Sequence, residues 1–98
     1  MQIKILSASH HRNGVCGEPF NVCLFQDEDG TRKLAVDFGG VRFAVLDVDK
    51  AAAGDIAFGS NSWRGDRYCD TIRELAVSEK MAVKEGDGVL FVNYGVSA

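Results

Sequence analysis

FNVCLFQDEDGTRKLAVDFGGVRFAV, residues 20–45, reads as three antiparallel strands joined by two tight turns. Asp27-Glu28-Asp29-Gly30-Thr31 suits a three-residue loop with Gly30 at the left-handed position of a bulge. That loop sets Phe20, Val22 and Leu24 against Phe38, Val36 and Leu34. A two-residue Asp29-Gly30 loop would slip the register by one and mix apolar with polar side chains, because strand side chains alternate between faces. At the second turn, Gly39 and Gly40 supply the positive φ that a two-residue hairpin requires, pairing Phe38 with Val41, Val36 with Phe43 and Leu34 with Val45. All of these pairs are apolar, so this is the face expected to receive a helix. The opposite face then stacks Asn21, Asp37 and Arg42, next Cys23, Ala35 and Ala44, and finally Phe25, Lys33 and Leu46. It is expected to be half solvated, with Asp37 and Arg42 as a cross-strand ion pair; the functional reading of the same face is a shallow groove with a polar rim.

Residues 2–6 read as a first strand with Ile3 and Ile5 on one side, and 7–19 as a polar loop, long for a domain of this size and a natural place for function. After the meander, Asp49 is placed to cap one or two helical turns that Gly54 ends. A second candidate loop, 59–67, leads into a helix expected over 66–80, where Tyr68, Ile72, Leu75 and Ala76 recur at three- and four-residue spacing and Asp66 serves as N-cap. Residues 89–94 form an expected final strand, apolar on both faces as a central or doubly covered strand would be. Together these give an α+β domain: an antiparallel sheet of about five strands, the meander at its centre, with one main helix across it. The alternative is a small, partly open β-barrel with a helix.

A chain of 98 residues makes a single domain, 1–98, able to bury roughly 65% of its unfolded surface without staples. Eleven Lys and Arg against fourteen Asp and Glu leave a net charge of -3, which makes non-specific nucleic-acid binding and attraction to anionic lipid unfavourable. No stretch approaches a membrane span, and no apolar run follows Lys4 as in a signal peptide. Three cysteines, Cys16, Cys23 and Cys69, fit no disulfide pattern and point to a reducing, cytoplasmic location.

Chemistry-bearing residues gather in the two loops. His10, His11 and Cys16 offer three metal ligands, but their spacing matches no standard zinc pattern, and adjacent histidines of an extended chain point apart. Cys16 beside His10 or His11 also makes a candidate thiol nucleophile with its base. Arg12 and Asn13 in one loop, with Asn61, Trp63, Arg64 and Arg67 in the other, are residue types that grip anions, stack on planar groups or anchor interfaces. The acidic residues 27–29 are accounted for by their turn and Asp49 by its cap, so no metal and no cofactor is expected. Glycine-rich phosphate loops are missing from the sequence.

The run Val83-Lys84-Glu85-Gly86-Asp87-Gly88-Val89-Leu90-Phe91-Val92-Asn93-Tyr94-Gly95 resembles a strand signature of the small co-chaperonin family. The resemblance covers those residues alone, the helix expected at 66–80 departs from that family, and no function is carried over from it. The functional expectation is therefore a non-enzymatic ligand-binding or protein-interaction module with its anion or partner site in the 7–19 and 59–67 loops. The alternatives are a cysteine-dependent enzyme using Cys16 with His10 or His11, and a self-associating subunit that buries strand edges or the Cys23-Ala35-Ala44 face between copies.

Overall fold

The computed structural model of the protein describes residues 2–12, 18–39, 43–48 and 65–95. Strands β1 (Lys4–His11), β2 (Phe20–Gln26), β3 (Arg32–Asp37) and β4 (Phe43–Asp47) precede helix α1 (Gly65–Ser78), which is followed by β5 (Ala82–Glu85), β6 (Gly88–Phe91) and β7 (Tyr94–Gly95). A five-stranded antiparallel sheet runs in the order β4-β3-β2-β1-β7, and β5-β6 form a separate two-stranded sheet. This is the α+β architecture expected from the sequence. The helical turns expected after Asp49 lie outside the described residues.

The first hairpin has the expected register, with Val22 opposite Val36 and Leu24 opposite Leu34. Gly30 takes φ +86° as its bulge requires, and Gly30 N–H donates to Asp27 O at 2.9 Å. The second hairpin corrects the expectation by one residue: Asp37 lies opposite Phe43, Ala35 opposite Val45 and Lys33 opposite Asp47. Asp37 is thus paired across the ladder with an aromatic ring rather than with Arg42, which falls outside the described residues. Two tertiary demands select this register. Val45 is fully buried beside Ala35 under α1, and the Asp37 carboxylate is bound both by Arg73 of the helix and by the Gly39 N–H at 2.9 Å.

The core lies on the face expected to be half solvated. Ile5, Ala8, Cys23, Phe25, Ala35 and Val45 meet Tyr68, Ile72 and Ala76 of α1, with Met81, Ala82 and Phe91 closing the far end. The row Ala8-Cys23-Ala35 is small throughout, so a helix can sit close above the sheet, while Phe25 fills the space beside Tyr68 with ring centroids 5.4 Å apart. The polar-rimmed groove read on this face is therefore filled by the helix, and Cys23 and Ala35 are not available for contact with another copy.

Three element boundaries also move. β1 continues to His11, so residues 7–11 are strand rather than loop; their backbone groups pair with β2 across a bulge between Ile5 and Ser7. The helix begins at Gly65, which places Asp66 inside its first turn instead of at the cap. At the other end, Lys80 adopts φ 63°, with Lys80 N–H donating to Val77 O and Met81 N–H to Ala76 O at 2.7 Å, a left-handed C-terminal cap that turns Met81 back into the core. The single final strand splits in two: β6 returns along β5 through Gly86 (φ +59°), and after Val92 and Asn93 the short β7 joins β1. Val92 and Tyr94 are exposed, so this segment is not a doubly covered strand.

Candidate functional site

Alternation along β1 sends its two histidines to opposite faces of the sheet. His10 points inward. Its Nδ1 lies 2.9 Å from Asn21 Oδ1, and Asn21, only 4% exposed, also donates from Nδ2 to Val89 O at 2.9 Å and accepts the Phe91 N–H at 3.2 Å. A backbone carbonyl can only accept and a backbone N–H only donate, so the orientation of the Asn21 amide is determined. Asn21 Oδ1 then requires the proton of His10 on Nδ1, which leaves Nε2 as the basic nitrogen of the neutral ring. The backbone N–H of His10 donates to Asn93 Oδ1 at 3.1 Å, tying β1 to the segment before β7.

His11 points outward and stacks on Phe20 with centroids 4.9 Å apart, while Ser9 Oγ sits 2.9 Å from His11 Nε2. The two histidines therefore cannot share one metal ion. Among the described residues, no group of three His, Cys, Asp or Glu side chains is placed to hold one. Arg12 is exposed at the end of β1, and Arg67 lies in the first turn of α1. Asn13, Cys16, Asn61, Trp63 and Arg64 fall outside the described residues.

The flanks of the two candidate loops do not start from one corner of the sheet. Tyr68, beside Arg67, donates its hydroxyl to Asp27 Oδ2 at 2.6 Å and so pins the first turn of the helix at the β2–β3 hairpin. His10 and Arg12 lie at the other end of β2, about 20 Å away along the strand.

Between helix and sheet runs a buried polar layer that sequence reasoning placed on a solvated face. Lys33 Nζ donates to Asp27 Oδ2 at 2.9 Å and to Thr31 Oγ1 at 2.7 Å, with Lys33 and Asp27 exposed by only 5% and 8%. Burial alone would raise the Asp27 carboxyl, but the Tyr68 hydroxyl, the Lys33 ammonium and the Glu28 N–H together hold it below the ordinary range. Burial likewise acts to lower Lys33, and its partner Asp27 outweighs this and raises it.

At the other end of the layer, Arg73 grips Asp37 with both Nε (3.0 Å) and Nη2 (2.6 Å) and lies over the Phe43 ring. The hydrogen bonds to Asp37 keep this guanidinium more firmly protonated than usual. The signal that could have revealed this layer was the spacing of Asp27, Lys33 and Asp37, all on one strand face in the correctly read first hairpin. Burial pushes the Cys23 thiol up to about 12, which makes it a packing residue and not a nucleophile.

The outer face, turned away from α1 and from the β5–β6 hairpin, also carries apolar side chains. Its rows are Lys4-Gln26-Arg32, then Ser7-Leu24-Leu34-Leu46, Ser9-Val22-Val36-Ala44, and His11-Phe20 beside Phe38. Val36, Ala44 and Leu46 are buried, whereas Phe20, Val22, Leu24, Leu34 and Phe38 keep part of their surface accessible. No described element packs across these partly open side chains. Apolar side chains left partly accessible on a sheet face are candidates for a contact site.

Fold and contacts define a small α+β domain on an antiparallel meander, with ion pairs sealed between sheet and helix and apolar side chains on the far side of the sheet. No protein-family model, curated protein or solved structure matches the chain. The likeness of residues 83–95 to a co-chaperonin strand is thus without a family match behind it. No helix among the described residues is long and apolar enough to cross a membrane.

Proposed function

We propose that this domain is a non-enzymatic interaction module that docks a partner on the outer face of its sheet, toward the His11 end of β1. The observation that supports this reading is the placing of the buried charges: Lys33, Asp37 and Asp47 face the helix, while Phe20, Val22, Leu24 and Leu34 face away from it and stay partly accessible. Arg12 and Asn13, and separately Asn61, Trp63, Arg64 and Arg67, remain proposed contacts for anionic groups of the partner or for a small anionic ligand. Cys23 and Cys69 are not joined in disulfides, which suits the reducing, cytoplasmic setting proposed for it.

An uncharged apolar probe such as Nile red tests the face without involving charge. Saturable amide shifts are expected at Ser9, Val22, Leu24 and Leu34, and Leu24→Ser should weaken them about fivefold, as loss of one apolar contact does. Shifts confined to α1, or no saturable shifts, would reject the face as the contact site.

A second reading has one observation in its favour. Asn21 presets the tautomer of His10, as a general base requires, so a cysteine-dependent enzyme using Cys16 stays a proposal. Under that reading a thiol probe near neutral pH labels Cys16 about tenfold or more faster than a model thiol, and His10→Ala removes the advantage. Labelling of Cys16 at the rate of a free thiol would dismiss it.

A further inference from the structure

We infer that β4 has two registers open to it and that Arg73 of α1 selects between them, a conformational switch that does not depend on what docks on the outer face. Phe43-Ala44-Val45-Leu46 is apolar at every position, so no alternation of polar and apolar side chains fixes which of its sides turns inward. β4 also stands last in the order of the sheet and pairs with β3 alone among the described residues, so a slip by one residue disturbs a single ladder. The second register is the one that the Gly39-Gly40 turn favours locally, with Val36 opposite Phe43, Leu34 opposite Val45 and Asp37 opposite Arg42. In it Ala44 and Leu46 would turn to the helix, and Phe43 and Val45 to the outer face.

What opposes the slip is concentrated in one side chain. Asp37 and Phe43 are a cross-strand pair of the observed register, and Arg73 holds both members. Its Nε and Nη2 grip the Asp37 carboxylate at 3.0 and 2.6 Å, while its Cζ lies 5.9 Å from the centre of the Phe43 ring. Asp37 is only 1% exposed, so loss of Arg73 would leave a buried carboxylate without that cation in the observed register, whereas the slipped one sets Arg42 across from it. Val45, fully buried among the core residues, adds an apolar preference for the observed pairing that outlasts the guanidinium. Both registers are therefore expected, in exchange, once Arg73 is replaced.

NMR contacts between directly opposed backbone protons of the full chain read the register. Ala35 with Val45 and Asp37 with Phe43 belong to the observed pairing, Leu34 with Val45 and Val36 with Phe43 to the slipped one. In Arg73→Leu the ratio of slipped to observed register should rise about a hundredfold, the scale of removing one partner from a buried ion pair. The slipped form should then reach roughly 1–10% of the molecules and show itself by saturation transfer at the amides of residues 43–47. Arg73→Lys keeps a positive charge but not the two-nitrogen grip; its rise should be smaller, about tenfold, and it decides the matter if the leucine variant does not fold. Observed contacts alone, with no exchange at residues 43–47 in whichever variant folds, would overturn the switch. Exchange spread evenly through β1, β2 and α1 would overturn it as well, because that pattern marks opening of the whole domain rather than a slip of one strand.

Discussion

Lys33→Met is expected to lower the unfolding free energy by about 3–5 kcal/mol near neutral pH, the usual cost of removing one partner from a buried ion pair. The substitution removes the cation 2.9 Å from Asp27 Oδ2 and leaves the carboxylate with the Tyr68 hydroxyl and the Glu28 N–H, but no counter-charge, in a site only 8% exposed. The size of the loss should depend on pH in a definite direction. In the wild type, Asp27 is held below its ordinary range, so its contribution is present above about pH 4 and is lost as pH falls through the depressed value. Without Lys33 the buried carboxyl is expected to titrate higher and to neutralise on mild acidification, so the gap between variant and wild type should narrow from pH 7 toward pH 4.

On the alkaline side, Lys33 is raised, so its contribution is present below about pH 10.4 and is lost as pH climbs past the raised value. Cys23 acts in the same sense, because the native state keeps a thiol proton that the unfolded chain releases above about pH 8.5. Urea titrations of both proteins across this range measure all of it. A loss below about 1 kcal/mol, or a gap that does not change with pH, would mean that Asp27 finds another counter-charge or water and that the pair is marginal.

Phe25→Ala should be equally costly, about 3–5 kcal/mol, which is a large part of the 5–15 kcal/mol available to a domain of this kind. Phe25 is 0% exposed, lies opposite Ile5 of β1 and beside Lys33 on the inner face, and packs on the Tyr68 ring. Its removal opens a cavity where helix, sheet and the Asp27 cluster meet. The surrounding rows are Ala8, Cys23 and Ala35, too small to collapse into the space, which favours the upper part of the range. Phe25→Leu should lose much less. Thermal and urea unfolding of the two variants decide the matter, and a Phe25→Ala loss no larger than that of Phe25→Leu would show that the site closes up on its own.

How far such features can be read in advance follows from the range of the forces involved. The Asp27–Thr31 turn was legible because its geometry is local: one glycine at positive φ sets the register of the hairpin around it. The apolar stripe of α1 was legible for the same reason, since Tyr68, Ile72 and Ala76 lie on one side of a helix whatever the helix packs against. The Gly39-Gly40 turn was misread because two registers satisfy local apolar pairing, and the choice between them rests on Arg73, 36 positions away from Asp37 in the chain. The polar composition of residues 7–11 favours a loop, whereas pairing with β2 makes them strand. Residue type alone makes His10 and His11 candidates; their separation onto two faces, and the role of Asn21 in presenting one of them, follow from strand alternation and the pairing of β1 with β2.

By itself the amino-acid sequence determined the class of the domain, the meander at its centre, the helix with its buried stripe, and the acidic character of the chain. These are properties of spacing, turn chemistry and composition, which act over a few residues. Which face of the sheet receives the helix was decided only by the tertiary structure. Both faces are apolar enough to form a core, and the choice falls to the one where Ala8, Cys23 and Ala35 let the helix approach closely and where Lys33 and Arg73 satisfy the aspartates enclosed there. The same choice leaves Val22, Leu24 and Leu34 on the far side, where the proposed partner docks.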